Sequence, residues 1–197
     1  MSTKYEQLLK DRMSAESYSK LVALNNDKVS EFIGTFIEHC DPASVYVCTD
    51  SEQDIQYVRD QALAKGEEQH LANSKQTIHW DGYGDQARDK KNTRYLVYDE
   101  NLERMGSLNS IKYEEGYKEI MEISKGIMHG KDAVVQFFSE GPAGGPFSIP
   151  CVQFTDSWYV AHSEFILYRS AYHHFLDMKD AEKGNFFRFV HSAGALD

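Results

Sequence analysis

With 197 residues, 41% of them apolar and 13% aromatic, the chain has the length of one domain and enough apolar mass to bury a core without disulfide or metal staples. A formal net charge of −10 speaks against nucleic acid as a partner, since that binding draws on clustered cationic surface, and the aromatic content excludes a disordered chain. No apolar run approaches the ~18 residues of a membrane helix, the first residues lack the apolar stretch of a signal peptide, and three cysteines without a Cys-x-x-Cys pair fit a reduced, cytoplasmic setting.

Residues 1–40 read as helical. Leu8, Leu9, Met13, Leu21, Val22 and Leu24 keep three-to-four spacing until Asn25-Asn26-Asp27 interrupts them. Asp27 reads as the N-cap of a further helix with the stripe Val29, Phe32, Ile33, Phe36 and Ile37. Val45-Tyr46-Val47-Cys48 is a short strand. Ser51 with Asp54 then forms a capping box, Ile55, Val58, Ala62 and Leu63 make one helical face, and Gly66 stops the helix. Residues 77–80 and 95–98 read as strands flanking a charged loop. Tyr113, Tyr117, Ile120, Met121, Ile127 and Met128 predict a helix over 113–128. Strands follow at 133–138 and 151–154. Between them, Gly141-Pro142-Ala143-Gly144-Gly145-Pro146 is a tight turn and, lacking a following lysine, not a phosphate-cradling loop. Thr155-Asp156-Ser157 caps a helix over 158–169, and 186–190 is a last strand. The interleaving predicts an α/β fold: a mixed β-sheet with flanking helices and a helical N-terminal segment, as a single domain over 1–197.

Gly82-Tyr83-Gly84-Asp85-Gln86-Ala87 formally matches the dinucleotide fingerprint. Arg88-Asp89-Lys90-Lys91 follows where a buried helix should, so a turn is the better reading. The cations Arg88, Lys90, Lys91 and Arg94 beside the single carboxylate of Asp89 suit an anion, because a guanidinium offers a two-pronged grip; a solvated charged loop has the same pattern. The histidines give no metal site. Glu67-x-x-His70 has no second copy, His39-Cys40 with Cys48 lack zinc spacing, His173-His174 point to different sides, and His162 reads as a hydrogen-bonded interior histidine. No Gly-x-Ser-x-Gly or cysteine motif marks a nucleophile.

The stretch from Gly141-Pro142 through Val152-Gln153-Phe154-Thr155-Asp156-Ser157-x-Tyr159-Val160 resembles the N-terminal portion of GTP-dependent phosphoenolpyruvate carboxykinases, which place a Gly-Pro turn, a short strand and Thr-Asp-Ser-x-Tyr-Val at this spacing. The continuation through Arg169 is most similar to the archaeal branch. Asp50-Ser51-Glu52, the helix from Tyr113 and Phe189-Val190-His191-Ser192-x-Gly194 agree in order, so the resemblance runs from about residue 28 to the C-terminus. The family's Asp-x-Ala-Arg motif, with a Thr five residues on, falls on Asp85, Ala87, Arg88 and Thr93. Tyr83 and Gly84 stand where many members have Pro and Arg. By this resemblance, Arg88 binds the carboxylate of oxaloacetate or phosphoenolpyruvate.

The resemblance implies a cytoplasmic carboxy-lyase of gluconeogenesis as the parent enzyme. Oxaloacetate loses CO2 there, and the enolate takes the γ-phosphoryl group of GTP, with Mn²⁺ at the enolate and Mg²⁺ on the nucleotide. The family's P-loop, guanine site and manganese ligands have no counterpart before Asp197. The chain is therefore expected to be the N-terminal substrate-binding part, inactive alone, without catalytic, cofactor or metal residues of its own. Its expected partners are the substrate and a C-terminal nucleotide-binding domain, with apolar side chains over 165–176 exposed where that domain would sit. Two other readings compete: a free-standing acidic, non-catalytic binding or interaction module of the same fold, and a dinucleotide enzyme using 82–87.

Overall fold

A computed structural model of the chain describes residues 4–73, 75–80, 89 and 91–194. The elements run α1 (Glu6–Arg12), α2 (Ala15–Ala23), α3 (Asp27–Cys40), β1 (Ser44–Val47), α4 (Glu52–Ala64), β2 (Gln69–His70), β3 (Thr77–Ile78) and β4 (Tyr95–Val97). A 3-10 helix (Asp99–Met105) precedes β5 (Ser110–Lys112), α5 (Tyr113–Ser124), β6 (Asp132–Glu140), β7 (Ile149–Thr155), α6 (Trp158–Leu167), β8 (Arg169–Ser170), α7 (Tyr172–Leu176) and β9 (Phe187–His191). They gather into two compact units, Met1–His79 with Gly126–Asp197, and Trp80–Lys125.

The first unit is built on a mixed sheet in the order β1-β6-β7-β9, with β8 also on β6. β1 is parallel to β6, β6 antiparallel to β7, and β7 parallel to β9. β6 is buried along almost its whole length, which its apolar run from Ala133 to Phe138, interrupted by Gln136 alone, makes possible. Successive residues serve opposite faces. Ala133, Val135 and Phe137, with Val152 and Phe154 of β7, pack against Leu9, Leu21, Ile33, Ile37 and Phe175 from α1, α2, α3 and α7. Val134 faces the other way, into Val58 of α4 and Trp158 and Ala161 of α6. Gln136 Nε2 donates to the Ala161 carbonyl at 2.7 Å, while its buried Oε1 accepts no hydrogen bond. Helices thus cover both faces of the sheet, as the α/β reading expects.

Local differences from the sequence reading have physical causes. The N-cap of α3 is Asn26, not Asp27: its backbone is extended and its Oδ1 accepts from Lys28 N and Val29 N, whereas Asp27 is already helical. The helical N-terminal segment breaks at Met13, whose backbone is extended and bridges to Val45, before Ser14 caps α2. The capping box at α4 is half made. Ser51 Oγ accepts from Asp54 N, but the Asp54 carboxylate turns to Thr49 N, Thr49 Oγ1, Tyr46 Oη and Lys20 Nζ. The helix expected over 113–128 ends at Ser124, because Gly126 takes a left-handed φ of 67° and Met128 then drops into the main core. The stretch 165–176 divides: Ile166 and Leu167 are exposed, but Tyr172 and Phe175 are buried.

In the second unit β4 and β5 pair in parallel and α5 lies against them. The approach is close enough that a Cβ on Gly116 would come within 2.8 Å of Ile111 and Leu96 side chains. Tyr98, Tyr113 and Tyr117 stack in series, and Arg94 donates to Glu119 Oε1 at 2.6 Å.

Gly34 of α3 faces the root of the buried Tyr5 side chain, and a Cβ there would stand 2.6 Å from Tyr5 Cβ. Alanine gains ~1 kcal/mol in helix propensity over glycine, while overpacking a core costs about 1–3 kcal/mol. Gly34→Ala should therefore be destabilising by about 1–2 kcal/mol in urea unfolding. A midpoint equal to or above the parent's would show that Tyr5 moves aside freely.

Candidate functional site

Because β7 and β9 are parallel neighbours, their chains leave the sheet side by side, and Thr155-Asp156-Ser157 meets His191-Ser192-Ala193 there. The Asp156 side chain has no exposed surface. Its Oδ2 accepts from Lys131 Nζ at 3.0 Å and Ser192 Oγ at 2.7 Å, and its Oδ1 from Ala193 N at 2.8 Å. Lys131 also donates to the Gly194 carbonyl. Thr155 Oγ1 is hydrogen-bonded to His191 Nδ1 at 2.9 Å.

Ser157 opens α6 as its N-cap, accepting from Val160 N. Glu67 joins this helix start: its Oε2 accepts from Ser157 Oγ and from Tyr159 N, each at 2.8 Å. A carboxylate there complements the helix dipole as well as the exposed N–H groups. His79 lies with Nδ1 2.6 Å from the Glu67 carbonyl and stacks its ring on Tyr159 at 3.6 Å. Glu68, buried, is hydrogen-bonded to His162 Nδ1 at 2.6 Å, the interior partner expected for that histidine. Glu67 and His70 thus do unrelated things, since His70 sits exposed in β2.

A cavity of about 350 Å³ opens at this end of the sheet, lined by Lys65, Glu67, His79, Lys131, Asp156 and Trp158 among others. Its cations are already bonded to carboxylates, Lys65 to Asp132 at 2.7 Å and Lys131 to Asp156. The cysteines offer no nucleophile. Burial, then the Asp156 charge, pushes the Cys40 thiol up to about 11, burial first also takes Cys151 to about 11, and Cys48 is raised by burial and Asp54. Among the described residues no three His, Cys, Asp or Glu side chains are grouped to hold a metal ion. This assembly fixes strand ends and a helix start.

Residues 82–87, Arg88 and Lys90, and with them the family's Asp85 and Ala87 positions, lie outside the described residues. Of the cationic cluster, Arg94 is committed to Glu119. Asp89 is described and organises the turn that follows Arg88. Its Oδ1 accepts from Lys91 N and Asn92 N, each at 3.0 Å, its Oδ2 from Asn92 Nδ2 at 2.6 Å, and its carbonyl from Thr93 N at 2.9 Å. Asn109 Nδ2 donates to the Lys91 and Thr93 carbonyls. The Asn92 backbone and side-chain hydrogen bonds hold the Asp89 carboxyl below its ordinary range.

A family model described as the phosphoenolpyruvate carboxykinase N-terminal domain matches residues 31–197. The chain belongs to that family. Among similar proteins, the phosphoenolpyruvate carboxykinase [GTP] of Pyrococcus horikoshii is 50% identical over 189 residues, 96% of this chain. That of Thermococcus sibiricus is 47% identical over 98% of the chain, and that of Saccharolobus solfataricus 38% over 96%. In each case the chain spans 30% of the relative's length.

In this carboxykinase domain the Thr155-Asp156-Ser157-x-Tyr159-Val160 block coincides with the polar assembly at the sheet end. Sequence reasoning found the block and missed its partners Glu67, His79 and Lys131. Glu67 lies 90 positions from Ser157, and no local pattern could reveal that pairing.

His191 supplies a pH test. Burial lowers its pKa below the ordinary 6.5, against the opposing pull of Asp156 and Glu67, so the fold holds the ring neutral. The unfolded chain binds the proton more readily, so this stabilisation is complete above pH 6.5 and lost as pH falls below it. The urea midpoint should drop between pH 7.5 and 5.5, and His191→Gln should drop less. Equal falls in both would place the acid sensitivity elsewhere.

Proposed function

We propose that residues 1–197 act as one substrate-binding domain, the N-terminal part of a cytoplasmic GTP-dependent phosphoenolpyruvate carboxykinase, with Arg88 gripping the substrate carboxylate. The family match over residues 31–197 carries this reading, together with Arg88 standing in Asp85-x-Ala87-Arg88 with Thr93 five residues on. In the reaction, oxaloacetate breaks the C–C bond to its leaving CO2 and keeps the electron pair as an enolate. The enolate oxygen attacks the γ-phosphorus of GTP, giving phosphoenolpyruvate and GDP. The planar guanidinium would hold the retained carboxylate through two parallel hydrogen bonds and orient the enolate toward the phosphoryl group. The nucleotide and manganese belong, on this reading, to a C-terminal partner.

Steady-state kinetics of the carboxykinase carrying this domain test the assignment, the chain alone being expected to show no turnover. Arg88→Lys keeps the charge but loses the fork. Loss of one charge-assisted hydrogen bond, about 1.5–3 kcal/mol, predicts a ten- to hundredfold fall in kcat/KM. Arg88→Ala should cost more. Lys90→Ala and Lys91→Ala should have small effects that fade with salt, since exposed charges are screened beyond ~8–10 Å. Equal losses for all three positions, or none for Arg88→Lys, would overturn the clamp.

A further inference from the structure

We infer that a cavity beside β1, wholly within the first unit, binds a small neutral ligand rich in hydroxyl groups, with the chemistry of a free sugar. The site is independent of the Arg88 reading, since the cationic loop contributes nothing to it. Its volume is about 490 Å³, within the range of roughly 300–1,000 Å³ over which ligand clefts fall. Five elements converge on it: α2 brings Glu16, β1 Tyr46, α4 Gln53 and Tyr57, β6 Asp132, and α6 Trp158. One wall is aromatic. Tyr57 packs on Tyr46 with ring centroids 4.6 Å apart and meets Trp158 edge-on at 5.8 Å and 80°. Trp158 is 2% exposed and backs the wall, whereas Tyr57 is 40% exposed and offers ring surface. A ring braced by two others has little freedom left to lose when a ligand settles on it.

Charge narrows the ligand class. Among the described residues no cation lines the cavity, while Glu16 and Asp132 do, so an anion would meet like charge. An organic cation would find its places taken. Glu16 is bonded to Lys20 and Asp132 to Lys65, each at 2.7 Å. The same two ammonium groups stand 5.0 Å from the Tyr46 ring centroid and 5.8 Å from that of Trp158, within cation–π reach. What stays open is hydrogen-bonding capacity. Asp132 accepts only from Ser44 Oγ and Lys65 Nζ, and a carboxylate has about four acceptor positions. The Gln53 amide and the Tyr57 hydroxyl have no hydrogen-bond partner among the described residues. Acceptors and donors around an exposed ring match a molecule whose hydroxyls both give and accept hydrogen bonds and whose C–H face is apolar.

The test is a titration of the carboxykinase carrying this domain with free glucose, galactose, mannose and ribose, followed by saturation-transfer NMR on the sugar protons. At least one sugar should bind saturably, with Kd on the order of 1 mM, the scale for a ligand of about twelve heavy atoms. Gln53→Ala should weaken that binding about three- to tenfold, the loss of one neutral hydrogen bond, and Tyr57→Ala about tenfold or more. Both positions are exposed, so the melting temperature should not move. Absence of saturable binding by all four sugars would overturn the inference. So would binding that both variants leave unchanged, which places the sugar elsewhere. Displacement of the sugar by tetramethylammonium chloride would make the cavity a cation site and overturn it as well.

Discussion

Withdrawing a carboxylate from water costs several kcal/mol unless every oxygen finds a donor and the charge a partner. Asp156 meets that demand by recruiting groups that belong to different strands. Lys131 stands just before β6, Ser192 and Ala193 just after β9, and Asp156 itself just after β7. One buried charge therefore ties together the ends of three neighbouring strands. The start of α6 depends on it, because Ser157 is the next residue. Glu67 comes to that same helix start and brings the segment after α4 with it.

The opposite end of β1 uses the same device. Asp54, its carboxyl opposed by burial yet held below its ordinary range by Thr49, Tyr46 and Lys20, joins α2, β1 and α4. Asp50 accepts from the Tyr172 and His173 amides at the start of α7. Asp50 and Asp156, which stand in the blocks Asp50-Ser51-Glu52 and Thr155-Asp156-Ser157 that make the family easy to recognise, thus work on the fold. The most recognisable blocks of this chain are among its polar joints, and a recognisable motif need not mark a site.

How far the sequence could be read follows from the range of each interaction. Val29, Phe32, Ile33 and Ile37 announce α3, and the apolar run around Val134 announces a strand, because those signals lie within one turn or one pleat. Ser157 as a helix cap is equally local. The 3-10 helix, β5 and the short β8 escaped notice, since their residues carry no sustained apolar period. The partners of Asp156 and Glu67 could not be read at all. A buried ion pair leaves a lysine and an aspartate in the sequence with nothing to distinguish them from surface charges. The cationic loop divides in the same way: Arg88 stands out through its neighbours in sequence, while the bonds from Asn109 to the Lys91 and Thr93 carbonyls emerge only in three dimensions.

The first unit is discontinuous in sequence, since the second unit stands between His79 and Gly126. Its β1 pairs in parallel with β6, Ser44 opposite Asp132, and that contact must close a loop containing α4 and the entire second unit. Loop-closure entropy grows with the logarithm of length, by roughly 0.6 kcal/mol for each doubling. The intervening unit could therefore lengthen or shorten substantially with little change in the equilibrium stability of the sheet. The burden falls on rate instead, because distant pairings form slowly while the nearby β6–β7 hairpin closes over a short Gly-Pro turn. The second unit has thus been inserted where chain length is thermodynamically forgiving, which leaves it open to remodelling while the β1–β6 pair keeps its register.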